Sequence, residues 1–148
     1  MMSFAVAQPV PRYPLDSTEQ NVDVIVGDDL WPDIDPKIAR VVIRLNGTVT
    51  NVRLVESLEN SIQAVQRELS EWRSQQDGLN DKQKGLYRRA VYFTTKAELM
   101  ERYRDFDSTE AGNRVADALD PAIRDAWQTV RWAISDIMER PRVTIDVL

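Results

Sequence analysis

Residues 123–148 read IRDAWQTVRWAISDIMERPRVTIDVL, and two periodicities meet inside them. Ile123, Ala126, Trp127, Val130, Ala133, Ile134 and Ile137 recur at steps of three and four, which predicts an amphipathic helix with a wide apolar face. The pattern runs to Glu139 and Arg140 and is stopped by Pro141, which cannot continue a helix. The remaining residues, Arg142-Val143-Thr144-Ile145-Asp146-Val147-Leu148, are rich in β-branched side chains and predict a short strand. A strand cannot satisfy its own backbone donors and acceptors, so it needs an edge to pair with. Either this chain supplies that edge or another protein does.

Upstream, the chain reads as helix for about a hundred residues. Asp120-Pro121 marks a kink or a fresh helix start, with Asp120 as N-cap. Asp107, with Glu110 three residues later, has the form of a capping box for a fourth helix. A third helix from Asn80 or Asp81 carries Leu86, Ala90, Phe93, Ala97 and Met100. Tyr87, Val91, Thr94 and Tyr103 broaden that stripe enough to predict burial on two sides. A second helix begins near Thr48 or Thr50, carries Val52, Val55, Leu58, Ile62, Val65, Leu69 and Trp72 inward, and ends at Asp77-Gly78. Glu56, Glu59, Arg67, Glu68, Glu71 and Arg73 fall on its other faces. A first helix starts at Asp35-Pro36, an N-cap acid before a proline at the first helical position. It runs through Ile38, Val41, Val42 and Leu45 to a glycine cap at Gly47. Before it, Pro9, Pro11 and Pro14 exclude a helix, and Val22-Asp23-Val24-Ile25-Val26, closed by Gly27, is a second strand candidate.

The expected fold is therefore all-α: a four- to five-helix bundle over residues 31–140. An extended N-terminal arm occupies residues 1–30. A C-terminal tail at 141–148 ends in the short strand.

Composition narrows the chemistry. The 148 residues contain no cysteine and no histidine. Disulfides, thiolate nucleophiles and Ser-His-Asp catalysis are excluded within the chain, and the commonest transition-metal ligand is missing. The net charge of -5 argues against tight wrapping of nucleic acid. No signal peptide and no stretch long enough for a membrane helix occur, so a soluble protein made in a cytoplasm, without membrane contact, is expected.

Several carboxylate groupings invite a functional reading. Asp33 and Asp35 form a D-x-D pair of the kind that holds magnesium, yet the Asp35-Pro36 cap explains the pattern on its own. Asp28-Asp29 reads as a solvated turn. Glu98, Glu101 and Asp105 have helical spacing but lack the histidine of bundle metal sites, and they read as surface charges. Glu98 is expected to pair with Arg102, and Glu101 with Arg104. The basic residues of the third helix wrap around it and read as partners for acids of neighbouring helices or subunits. Trp127 lies on the core stripe; Trp132 sits off it, as domain core or as an interface anchor. No phosphate loop is present. No cofactor is expected and no enzyme activity is indicated.

Taken in order, Trp31-Pro32-Asp33-Ile34-Asp35-Pro36-Lys37, Glu101-Arg102-Tyr103-Arg104, Trp127-Gln128-Thr129-Val130-Arg131-Trp132-Ala133-Ile134 and Pro141-Arg142 resemble the head completion (GpL) family of contractile-tailed temperate phages. The resemblance covers about residues 31–148. The connection between the second and third helices is shorter than the family pattern, and Asp120-Pro121 is a local difference. The resemblance implies a virion structural protein at the neck, the head–tail junction. It implies a homo-oligomeric ring, usually of twelve copies, beneath the portal protein. Such a ring helps retain the packaged genome, lets DNA pass without sequence-specific binding, and offers a docking surface to a tail terminator or tail-completion protein. On that reading Arg140, Pro141, Arg142, Val143, Thr144, Ile145, Asp146, Val147 and Leu148 are the portal-binding candidates, with Trp31 and Trp132 as subunit-interface candidates. Three other readings stand beside it: pairing of residues 22–26 with 143–147 inside the chain, a carboxylate enzyme, and a cytoplasmic helical-bundle adaptor or regulator unrelated to virions.

Overall fold

The computed structural model describes residues 22–45, 47–106 and 110–141, with the side chains of 104–118 left out of the description. The described residues form four helices: α1 (Pro36–Val42), α2 (Asn51–Ser74), α3 (Asp81–Phe106) and α4 (Glu110–Ile137). α2 and α3 form a hairpin, α4 packs along α3, and α1 lies against α2.

α1 starts as expected. Asp35 caps it, its Oδ1 accepting from the Lys37 amide at 2.9 Å, and Pro36 occupies the first turn. It ends earlier than expected. The Arg44 amide donates to the Val41 carbonyl at 3.2 Å and the Leu45 amide to Arg40 at 3.0 Å, a Schellman closure. The left-handed residue is Arg44, at φ 60, rather than Gly47. Its outer face also differs from the expected one. Ala39 and Ile43 are buried, while Ile38, Val41 and Val42 stay exposed. So short a helix touches the rest of the chain along one line of residues, and Pro36, Ala39 and Ile43 take that line.

α2 is capped by Thr50, whose hydroxyl accepts from the Arg53 amide at 3.3 Å. Its inward line is Leu54, Ser57, Leu58, Ser61, Val65, Leu69 and Arg73, and it ends at Ser74, before Asp77-Gly78. The expected stripe is thus rotated at its start: Val52 is 65% exposed and Leu54 is fully buried. Two serines hold inner positions because α3 approaches closely there, and the Thr95 hydroxyl donates to Ser61 Oγ at 2.8 Å. Arg73, expected outside, is buried.

α3 opens on a reciprocal cap. The Asn80 amide donates to Gln83 Oε1 at 2.9 Å, and the Gln83 amide to Asn80 Oδ1 at 2.7 Å. Its burial on two sides is as the double-width stripe requires, with Tyr87, Ala90, Val91, Tyr92, Thr94, Thr95 and Ala97 all inside. Tyr103 is exposed.

α4 runs unbroken through Pro121, so the five-helix alternative is not realised among the described residues. A proline inside a helix costs about 3 kcal/mol. The buried Ile123, Ala126, Val130, Ala133, Ile134 and Ile137 that follow it offset that cost. The Asp107 capping box lies outside the described residues. At the other end the main chain closes α4 before Pro141 is reached. Glu139, at φ 58, donates to Asp136 at 3.1 Å, and Arg140 donates to Ser135 at 2.8 Å.

Residues 22–35 are tied to the bundle. Ile25 and Ile34 exchange amide bonds of 2.8 and 2.9 Å as an antiparallel bridge, so the 22–26 segment finds an edge at Ile34. Gly27 fits because it has no side chain: a Cβ there would lie 2.1 Å from the Trp31 carbonyl oxygen. Its amide donates to Asp33 Oδ1 at 2.6 Å. Pairing with residues 143–147 lies outside the described residues.

Candidate assembly surfaces

The proposed portal-binding segment begins at a defined place. Arg140 and Pro141 are exposed, directly after the Schellman closure of α4, and 142–148 lie outside the described residues. Arg140 lines a cleft of about 270 Å³ with Glu68, Glu71, Trp72, Gln75 and Met138. Arg140 therefore sits beside the carboxyl-terminal end of α2.

The two interface tryptophans part company. Trp132 is 41% exposed on α4. Trp31 is only 6% exposed. Its ring stacks on Tyr87 with centroids 4.7 Å apart, and the Arg73 guanidinium lies 5.9 Å from its centroid. Arg73 Nε donates to the Leu30 carbonyl at 2.8 Å and Nη1 to Gln76 at 3.0 Å, which explains how a buried cation is tolerated here. Gln66 donates to the Tyr87 hydroxyl at 3.0 Å. Burial pushes that hydroxyl above its ordinary value, against the Gln66 bond that lowers it. Sequence spacing left Arg73 outside; its only signal was a place one residue beyond Trp72 at the end of the apolar stripe.

The carboxylates have structural work. Asp35 caps α1. Asp33 holds the Gly27 amide, and its carbonyl accepts from Arg88 Nε at 3.0 Å. Asp28 Oδ1 accepts from the Leu30 and Trp31 amides at 2.8 and 2.9 Å, an Asx-type turn. Glu101 takes the Trp127 indole at 3.1 Å, and the side chain of Arg104 lies outside the description. Arg102 reaches across to Glu56 of α2 at 3.9 Å, an exposed pair of small energetic weight. Glu98 lies against α2 beside Ser57. Burial pushes its carboxyl above the ordinary 4.5, Arg102 lowers it, Glu101 raises it, and nearby Ser57 lowers it slightly. Ser57 Oγ, Thr94 Oγ1 and Glu98 Oε1 are buried without a hydrogen bond that meets geometric criteria. Among the described residues no three acids converge as a metal would require, and no helix is long and apolar enough to cross a membrane.

The described surface also carries apolar and charged contact area. Ile38, Val41, Val52 and Trp132 are exposed apolar groups. Periodicity had turned the first three inward. Arg89 and Lys96 flank Phe93 at 5.1 and 5.6 Å from its ring.

No solved structure matches this chain. Among curated proteins it is similar to the head completion/stabilization protein of Escherichia phage P2, 34% identical over 138 residues, spanning 82% of this chain and 81% of that protein. The family model for phage head completion protein (GPL) matches residues 25–148, a span that begins at the Ile25–Ile34 bridge and includes the tail beyond Pro141. With the match covering all four helices and both ends that frame them, the chain belongs to the phage head completion protein (GPL) family.

Proposed function

We propose that this chain is a structural virion protein that completes the phage head, as a connector subunit beneath the portal ring. In this reading it helps retain packaged DNA and presents a docking surface to the tail-completion protein. The observation that carries it is the family match through residue 148, which treats the tail as part of the domain. That match favours a virion component over a helical adaptor unrelated to virions. The body supports the role physically: a helical bundle whose last described residues, Arg140 and Pro141, are exposed. The tail, from Arg140 to Leu148, adds its strand to a sheet edge of the portal, where main-chain bonds give affinity. The copies form a ring, and DNA passes through it without sequence-specific contact.

Deletion of residues 142–148 tests this. The truncated protein is expected to keep its helical circular dichroism and melting temperature but to lose capture by purified portal rings. Capture at wild-type level by the truncated chain would remove the tail from the portal contact.

A further inference from the structure

The rim of an open cleft at the start of α2 is acidic and its floor apolar. Val22, Asp23, Val52, Val55, Glu56 and Glu59 line it, around a volume of about 440 Å³. On α3 the opposite combination occurs. Lys82, Arg89 and Lys96 recur every seven residues, about two turns apart, and therefore share one side. Phe93 lies between the last two, its inner edge packed on the core and the guanidinium and ammonium groups over its ring. Gly85, Leu86, Met100 and Tyr103 complete that side, and no carboxylate falls on it.

Within one chain the cleft reaches α3 through Glu56 and Arg102, 3.9 Å apart, and the Arg89–Phe93–Lys96 side lies elsewhere on that helix. Thr95, two residues from Phe93, bonds Ser61 and so faces α2. At about 100° per residue, Phe93 then points roughly 200° away, off the α2 side of α3. By the same count Val52, nine residues before Ser61, lies on the side of α2 turned away from α3.

We propose that they meet between copies: the Arg89–Phe93–Lys96 ridge of one chain seats in the Val52–Val55 cleft of the next, with Asp23, Glu56 and Glu59 facing the two cations. Such a contact is heterologous, and it closes into a ring when its rotation permits. A second copy is favoured over DNA as the occupant because the ridge pairs its cations with an aromatic ring. The cleft answers both features, whereas a phosphate backbone answers only the charge. The inference rests on the connector reading and adds to it which faces join the subunits.

The absence of cysteine makes the test clean. Full-length Val52→Cys and Phe93→Cys proteins, carrying tags of different mass, are mixed and treated with a short bis-maleimide. The mixed species is expected to exceed either homodimer by about five-fold, and a chain carrying both substitutions should give a ladder. Equal yields overturn the proposal. A charge swap covers the case in which Phe93→Cys perturbs folding, with self-association read by sedimentation. Arg89→Glu with Lys96→Glu, and separately Glu56→Lys with Glu59→Lys, should each weaken self-association about ten-fold, and mixing the two variants should restore it. If the cation-reversed variant instead loses duplex DNA in a filter assay and is not rescued by its acidic counterpart, the ridge faces nucleic acid and the proposal falls. A protein found in virions with no Val52–Phe93 cross-link sinks this contact but leaves the connector reading. Cross-links from a protein absent from virions do the reverse.

Discussion

At the connected end of the α2–α3 hairpin, Arg73 gives two of its donors to main-chain carbonyls and lies over Trp31, which stacks on Tyr87, which in turn accepts from Gln66. At the open end, Ser57 Oγ, Thr94 Oγ1 and one oxygen of the half-buried Glu98 are enclosed with no well-formed hydrogen bond among the described residues. Both ends bury polar groups between the same two helices. The first end is closed by residues 27–36, which bring carbonyls to the cation. At the open end the cation beside Glu98, Arg102, is exposed and turned to Glu56. A polar group inside a fold adds stability where another segment completes its bonds, and subtracts from it where none does.

Substitutions should separate the two ends by size and by sign. The largest effect is expected from Trp31→Ala, which empties the stack on Tyr87 and should cost about 3–5 kcal/mol in urea denaturation. A loss under about 1 kcal/mol would show that the connected end does not depend on this ring. Arg73→Met keeps most of the volume but strands the Leu30 and Gln76 carbonyls. A loss of about 1–3 kcal/mol is expected in the same assay. At the open end the sign reverses. Glu98 is held above its ordinary carboxyl value, so the fold favours its neutral form. Its penalty is fully present above the raised native value and absent below 4.5, the ordinary value, because the native state binds the proton more tightly. Glu98→Gln should therefore raise the melting temperature at pH 7, and the gain should vanish in scans below that ordinary value. A variant less stable than wild type at pH 7 would place Glu98 among the supporting contacts. The smallest effect belongs to a site away from both ends. Arg44→Gly relieves a left-handed residue on an exposed cap and should stabilise by about 0.5–1 kcal/mol.

The same contrast explains which parts of the fold were legible beforehand. The α4 stripe was read with its face correct, since long apolar side chains at helical spacing have one place to go. The phase of α2 was read wrongly at its start, because Ser57 and Ser61 look like surface residues until Thr95 is seen against them. The first helix suffered the same error in reverse: Ile38, Val41 and Val42 are as apolar as any core residue, but a two-turn helix offers only one line to its neighbour. Asp35, Thr50 and Asn80 were legible as starts because capping is local chemistry. Arg44 and Glu139 were not legible as stops, since nothing in their side chains asks for a left-handed backbone.

Sequence alone determined the helical class, three of the helix starts, the exclusion of thiol and imidazole chemistry, and the likeness to head completion proteins. Each of these depends on residue type and short-range spacing. Tertiary structure decided that Trp31 and Arg73 go inside, that Pro121 bends no helix apart, that residues 22–26 meet Ile34, and which apolar faces stay outside. Those outcomes depend on which segments arrive beside one another. A buried cation is tolerable only once Leu30 and Gln76 bring it their carbonyls, and no local spacing encodes that arrival.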